Sequence, residues 1–427
     1  MKMVSKFALA AALSVGAVAM TAAPAAAQRS KKEEADPQKA LLAQISPEFR
    51  KPAAAAEAAL KAKDWATAET QVAASEAIAK NDAERYFAAT MRLSIEANKK
   101  SDDGLLKVIA VLLANPNTPA ASMQSLNYNY GEILFRLKRR PEAVPYLLKA
   151  RELGGTQSDI PLMLAQTYID GGKLADGVAE MGKAIAAEKA AGRKAPQDWY
   201  RFIFARLYNG ADRPGLVNWS IGWLTDYPTA ENWRFVLVNY RNLGERSTGG
   251  SLTKQQRVEV FRLMRGAHAL ADQADYFDYG KYTYESGLPW EAIAVFDEGR
   301  ANGKLPAGQV ETATLYSQAQ TAVKSEGSLD AQAKSAATAP TGKQAAATAD
   351  AYVASGNYAA AIPLYDLAMQ KGSVDADLVN LHRGYALLNL GRKDEARDAL
   401  SKVSGAPLSD VAHFWTLWLS NPTPPAS

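Results

Sequence analysis

Phrases built to one plan return along this chain. "RPEAVPYLLKARELGG" starts at Arg140, "WEAIAVFDEGR" at Trp290, "NYAAAIPLYDLAMQKGS" at Asn357 and "KDEARDALSKV" at Lys393. In each, a small residue is followed by a large one four positions on and a smaller one seven positions on. The sets are Ala143, Leu147, Ala150; Ala292, Phe296, Gly299; Ala361, Tyr365, Ala368; and Ala396, Leu400, Val403. These spacings fall on one stripe of an α-helix, where small residues admit a neighbouring backbone and the large one fills the gap. Twelve positions before three of those alanines stands a glycine: Gly131, Gly280 or Gly384. Between glycine and alanine lies a turn, "RLKRRP", "ESGLPW" or "NLGRKD". The unit is therefore helix, turn, helix, and the glycine of the first helix is expected to face the alanine of the second.

The next unit, "MLAQTYIDGGKLADGVAEMGKA", puts Gly177 34 positions beyond Ala143. A helical hairpin of that period, with an alanine and a large residue four apart in its second helix, resembles the tetratricopeptide repeat (TPR). The first-helix glycine of that family is kept in "NYNYGEIL", "YFDYGKYT" and "NLHRGYAL", and its tryptophan is not. The resemblance implies an all-α fold, a right-handed α-solenoid of TPR-like helix hairpins with looser central repeats. Gly131, Ala143, Ala150, Gly177, Gly280, Ala292, Gly299, Ala361, Ala368, Gly384 and Ala396 are its expected packing positions.

It also implies a concave channel, lined by first helices, that takes an extended peptide. Carried onto this sequence, the channel positions are Tyr128, Glu132, Phe135 and Arg136 in one repeat. They continue as Gln166 and Asp170 in the next, then Phe277, Lys281, Tyr284 and Glu285. The Lys/Asn set with which some members clamp a terminal carboxylate is replaced by Glu132 and Gln166, which argues against chaperone-tail binding.

Further hairpins read at "AEAALKAKDWATAETQVAASEAIAK", at "RYFAATMRLSIEANKKSDDGLLKVIAVLLANP" and at "DWYRFIFARLYNGADRPGLVNWSIGWLTDYP". A less regular pair runs from Glu231 to about Leu270, with the turn-rich "RSTGGSLT" inside it. The expected division is a signal peptide at 1–27, a flexible tail at 28–47 and an N-terminal array at 48–323. A linker or weak helical connection follows at 324–345, where large apolar residues are scarce and Pro340 intervenes. C-terminal repeats and a capping helix, "SDVAHFWTLWLS", occupy 346–420, and 421–427 is a tail.

The first residues carry Lys2 and Lys6, an apolar alanine-rich run and small residues ending at Ala27, the pattern of a cleaved export signal. The run is shorter than the roughly 20 apolar residues of a membrane span. The chain is expected in the periplasm, or secreted, with no integral membrane segment after cleavage. It has no cysteine, so neither disulfides nor a lipid-modified cysteine can serve it. A formal charge of +4, reduced by loss of the signal lysines, is too near balance for a nucleic-acid partner.

No metalloprotease, nucleophile-elbow, phosphate-loop or dinucleotide motif is present. Three histidines, His268, His382 and His413, sit on separate units and read as surface or packing residues. No catalytic, cofactor or metal residue is assigned, and the chain reads as a non-enzyme. Aromatic residues crowd between Trp199 and Phe296. They are either bulky core filler or, because neighbours such as Trp199 and Tyr200 cannot share one helix stripe, a binding platform. The leading expectation is a periplasmic TPR-like scaffold binding protein or peptide, with cell-envelope assembly as its setting. A glycan- or peptidoglycan-binding module in cell-wall or polysaccharide export is the second class, and a helical-repeat enzyme the third.

Overall fold

The computed structural model describes residues 37–157, 159–244, 250–306 and 308–423. Among the described residues every regular element is an α-helix, and the chain divides into two compact units, Met1–Arg193 and Lys194–Ser427. The expected signal peptide, the tail as far as residue 36 and most of the "RSTGG" turn lie outside the described residues.

The first unit opens with α1 (Pro37–Ala43), so residues 37–43 of the expected tail are helical. Four hairpins follow: α2 (Pro47–Ala62) with α3 (Trp65–Ile78), α4 (Asp82–Lys99) with α5 (Asp102–Ala114), α6 (Ala120–Arg136) with α7 (Arg140–Glu152), and α8 (Ile160–Asp170) with α9 (Leu174–Ala190). The turns explain themselves locally. Lys63 and Lys100 end α2 and α4 in the left-handed conformation, and Asp64 and Ser101 then accept the first free amides of α3 and α5. Gly172 supplies the same left-handed step between α8 and α9, at φ +77°, without a Cβ penalty.

Inside each hairpin the glycine does not face the alanine, as the spacing suggests, but the large residue four positions beyond it. A Cβ on Gly131 would stand 2.8 Å from Leu147, one on Gly384 2.8 Å from Leu400, and one on Gly280 2.3 Å from Phe296. The alanines Ala143, Ala292, Ala361 and Ala396 are fully buried on the same stripe. Glycine thus makes the socket and Leu or Phe the knob.

The second unit holds α10 (Gln197–Asn209), α11 (Arg213–Asp226), α12 (Ala230–Arg241), α13 (Lys254–Gly266), α14 (Gln273–Glu285), α15 (Pro289–Ala301), α16 (Val310–Glu326) and α17 (Leu329–Thr338). It continues through α18 (Lys343–Ala354), α19 (Tyr358–Lys371), α20 (Ala376–Asn389), α21 (Lys393–Ser401) and α22 (Leu408–Ser420). The span 324–345 carries the end of α16, all of α17 and the start of α18. Lys371 donates from α19 to the carbonyls of Ala337, at 2.8 Å, and Ala339, and Tyr352 of α18 bonds Asp330 of α17. Large apolar residues are scarce there because alanines such as Ala336 and Ala345, both fully buried, do the packing. The division between compact units falls instead at Arg193.

The last helix also departs from a simple end cap. α22 packs on α20 and α21, and equally on α11 and α13 far up the chain. Phe414 meets Trp233 and Tyr240 of α12 edge-on, and Trp415 lies over Gly266, where a Cβ would come within 2.8 Å of the indole. Tyr240 donates to Asp410 at 2.9 Å, and Asn421, in the expected tail, donates to the Thr225 carbonyl. The second unit thereby closes on itself.

About half of the crowded aromatics are core, packed mainly on neighbouring helices. Trp199, Tyr200, Phe204, Trp223, Trp233, Tyr240, Tyr276, Tyr279 and Phe296 are all buried. Adjacent Trp199 and Tyr200 are both inside, with Tyr200 against Trp219 and Tyr227 of the following helix and its end. Phe235 alone of the crowd is clearly exposed, at 44%.

Candidate functional site

The expected channel residues fall on both units. In the first unit, Tyr128, Glu132 and Arg136 follow one another at four-residue steps along α6, the first two half-buried and Arg136 exposed. They stitch hairpins together. Tyr128 donates to Asp159, at the start of α8, at 2.8 Å. Arg136 binds Glu132 at 2.9 Å and reaches back to Asp102, at the start of α5, at 3.1 Å. Burial, with Asp159 beside it, raises the Tyr128 hydroxyl above its ordinary range. Burial raises Glu132 too; Arg136 opposes the shift, and Asp102 and Asp159 add to it. Asp170 of α8 pairs with Arg140, and Gln166 is half-buried.

Phe135 corrects the expectation. It lies in the core, 9% exposed, with the Arg140 guanidinium 5.0 Å above its ring. Its neighbours Leu134 and Ile133 are buried as well, because α6 is covered by α7 on one side and by α5 on the other.

The first unit has one feature that sequence spacing did not reveal. An open hollow of about 450 Å³ lies where α3, α4 and α5 meet. Its floor is Ala79, Ala88, Ala89 and Val108, with Val111, 46% exposed, at the edge. Arg85, Arg92, Lys107, Glu76 and Glu96 form the charged rim. Arg92 is fixed there by Glu76 at 2.8 Å and Glu69 at 2.6 Å, with Lys99 also on Glu69. A fixed guanidinium beside an apolar floor can orient a bound chain without first losing rotamer freedom. The signal was in the sequence as Arg85, Ala88, Ala89, Arg92 and Glu96, a helical stripe of small and charged residues, but nothing there paired it with α3 and α5.

In the second unit Phe277, Lys281 and Tyr284 are half-buried on α14, opposite its buried face of Tyr276, Tyr279, Gly280 and Thr283. Glu285 is exposed and pairs with Lys254 at 2.8 Å.

The interior of the second unit holds a chain of charges. Arg262 of α13 binds Glu291 of α15 through two nitrogens, at 3.0 and 2.6 Å, and Glu259 at 2.9 Å. Tyr279 donates to Glu291 at 2.6 Å. His382 of α20 stands between Glu259, at 2.9 Å, and Asp350 of α18, at 2.7 Å, and Tyr365 donates to Asp350 at 2.7 Å. Burial opposes charge on His382, but Asp350 and Glu259 outweigh it and hold the ring's pKa at about 10. Burial likewise pushes Glu259 up, and Arg262 and His382 overcome it, bringing the carboxyl to about 2. A tyrosine–aspartate–histidine–glutamate line contains the groups of a proton relay. At 2% exposure His382 meets no substrate, so this line holds charge and position. His268 and His413 are exposed and His382 is buried, the two alternatives of the surface-or-packing expectation. Among the described residues no cluster of His, Asp and Glu is arranged to hold a metal ion.

No family model matches the sequence, and no curated protein matches it. Among solved structures the chain is similar to the TPR domain of P58(IPK), at 13% identity and a TM-score of 0.24, over 87% of this chain and 98% of that one. It is also similar to the pentatricopeptide repeat protein PPR10 from maize, at 12% identity and a TM-score of 0.31, over 91% of this chain and 56% of that one.

Proposed function

We propose that this chain is an exported scaffold, an array of TPR-like hairpins that holds a polypeptide segment of a partner during assembly of the bacterial cell envelope. The observation that carries this reading is the hollow of the first unit. It combines an apolar floor open to solvent, a rigidly held Arg92 and a mixed-charge rim, which together suit a short peptide with one apolar anchor beside an acidic group. The stripe of Tyr128, Glu132 and Arg136 and the α14 set of Phe277, Lys281, Tyr284 and Glu285 are secondary contact surfaces in this reading. Export rests on residues 1–27, and no helix among the described residues is long and apolar enough to cross a membrane. The glycan reading rested on the crowded aromatics, and about half of those rings are core.

A photo-crosslinking residue placed at Val111, in the chain expressed with its own leader, tests the proposal. Val310, 76% exposed on α16, is the control position. Polypeptide adducts at Val111 that exceed those at Val310, and that vanish with Arg92→Ala, support it. Equal labelling at the two positions, or adducts made only of carbohydrate, overturns it. Sequencing the N-terminus of the exported chain checks the address separately, with Gln28 expected first.

A further inference from the structure

Both ring nitrogens of His382 face carboxylate oxygens, Nδ1 that of Asp350 and Nε2 that of Glu259. An imidazole can donate from both nitrogens only when it carries two protons. The groups around it are Asp350 from α18, Glu259 and Arg262 from α13, and Tyr365 from α19. Beyond Arg262 come Glu291 of α15, Tyr279 of α14 and Tyr385 of α20, with Arg265 and Glu298 paired one turn further on. Two buried carboxylates, Glu259 and Glu291, and the partly exposed Asp350 thus face one guanidinium and one imidazolium. A neutral ring would turn a lone pair toward either Glu259, out of reach of bulk water, or the partly exposed Asp350, and leave three carboxylates against a single guanidinium.

The position of this group matters as much as its charge. His382 and Asp350 belong to the C-terminal hairpins and Glu259 and Arg262 to α13; α22 also bridges α13 and α20 through Trp415, which meets Gly266 and Tyr385, while its Phe414 packs on neighbouring α12. The ionic seam and the aromatic seam close the same gap.

We propose that this closure is a proton-dependent clasp: doubly protonated His382 ties α18 and α20 to α13, and loss of one proton releases α18–α22 and uncovers the aromatic seam of α22. The inference is independent of what the first unit binds. Glu259 and Arg262 hold one half of the clasp in place whether it is shut or open, because their own pair and the Arg262–Glu291 bonds do not involve His382.

Hydrogen exchange of the full chain, compared at pH 6 and pH 9 after correction for intrinsic exchange, tests it. Amide protection in α20 and α22 is expected to fall by about tenfold per pH unit above roughly pH 7, while α10 stays unchanged. Asp350→Asn offers a carboxamide that a singly protonated ring can satisfy, so its protection is expected to vary much less with pH. Unchanged protection of α20 and α22 at pH 9 overturns the proposal, as does an equal fall in every helix of the second unit. An Asp350→Asn protein that responds to pH as the parent does overturns it too. If that variant does not fold, the comparison of the parent at the two pH values decides alone.

Discussion

Glu259 of α13 and His382 of α20 stand 123 positions apart in sequence and 2.9 Å apart in space. Their contact ties stability to pH with a definite sign. The His382 pKa is raised from 6.5 to about 10, so its stabilisation is complete below about 6.5 and drains away as pH rises toward 10. The Glu259 pKa is depressed from 4.5 to about 2, so its contribution is present above 4.5 and lost as pH falls toward 2. Denaturant midpoints for the second unit are therefore expected to peak between about pH 4.5 and 6.5. They should decline on both sides, and His382→Gln should remove the alkaline limb. A midpoint flat from pH 6 to 9.5 would contradict the assignment.

Arg262 is 1% exposed between Glu259 and Glu291. Arg262→Leu leaves two carboxylates buried with no cation between them and is expected to cost about 3–5 kcal/mol by equilibrium unfolding. Arg139→Ala, which breaks an exposed pair with Glu142, should leave the midpoint where it was. Equal effects from the two substitutions would mean that the buried charges are not the part that matters.

How much of this could be read beforehand follows from what periodicity records. Spacing within one hairpin is local, so Gly131, Ala143, Leu147 and Ala150 announce their helices and their turn. The packing partner of Gly131 was misassigned because spacing shows which residues share a stripe, and the choice between Leu147 and Ala143 depends on the offset of two helices. Phe135 was misplaced for a related reason: a second neighbouring hairpin buries a face that an isolated hairpin leaves open. The Glu259–His382 contact and the fold-back of α22 were not legible at all. They join elements separated by several repeats, and no single window of sequence contains both sides.

Gly280 offers the sharpest test of knob-and-socket packing. An added methyl would lie 2.3 Å from the Phe296 ring, so Gly280→Ala is expected to destabilise by about 1–3 kcal/mol. Phe296→Leu should cost less in that background than in the parent. A double-mutant cycle measured by unfolding reads the difference, and strict additivity would show that the two residues do not meet.

Phe277 and Tyr284 are half-buried and lie away from the core face of α14. Replacing both by alanine should leave helicity and melting close to the parent's and reduce only the capture of partners that touch the second unit. Val111→Lys should do the same for the first unit. Running both variants against one partner set assigns each partner to a unit, and a large fall in melting temperature for Phe277→Ala would remove α14 from the list of surfaces.

Open arrays of hairpins can lengthen by copying a repeat, because each hairpin needs little more than a neighbour on either side. The helix contacts of the first unit run between adjacent hairpins in that way. The second unit cannot grow so freely. A hairpin inserted between α14 and α20 would carry His382 away from Glu259 and lift α22 from Gly266, so its repeat number is fixed by the need for its two ends to meet. Gain or loss of repeats over evolutionary time should therefore fall in the first unit, while the second is inherited whole.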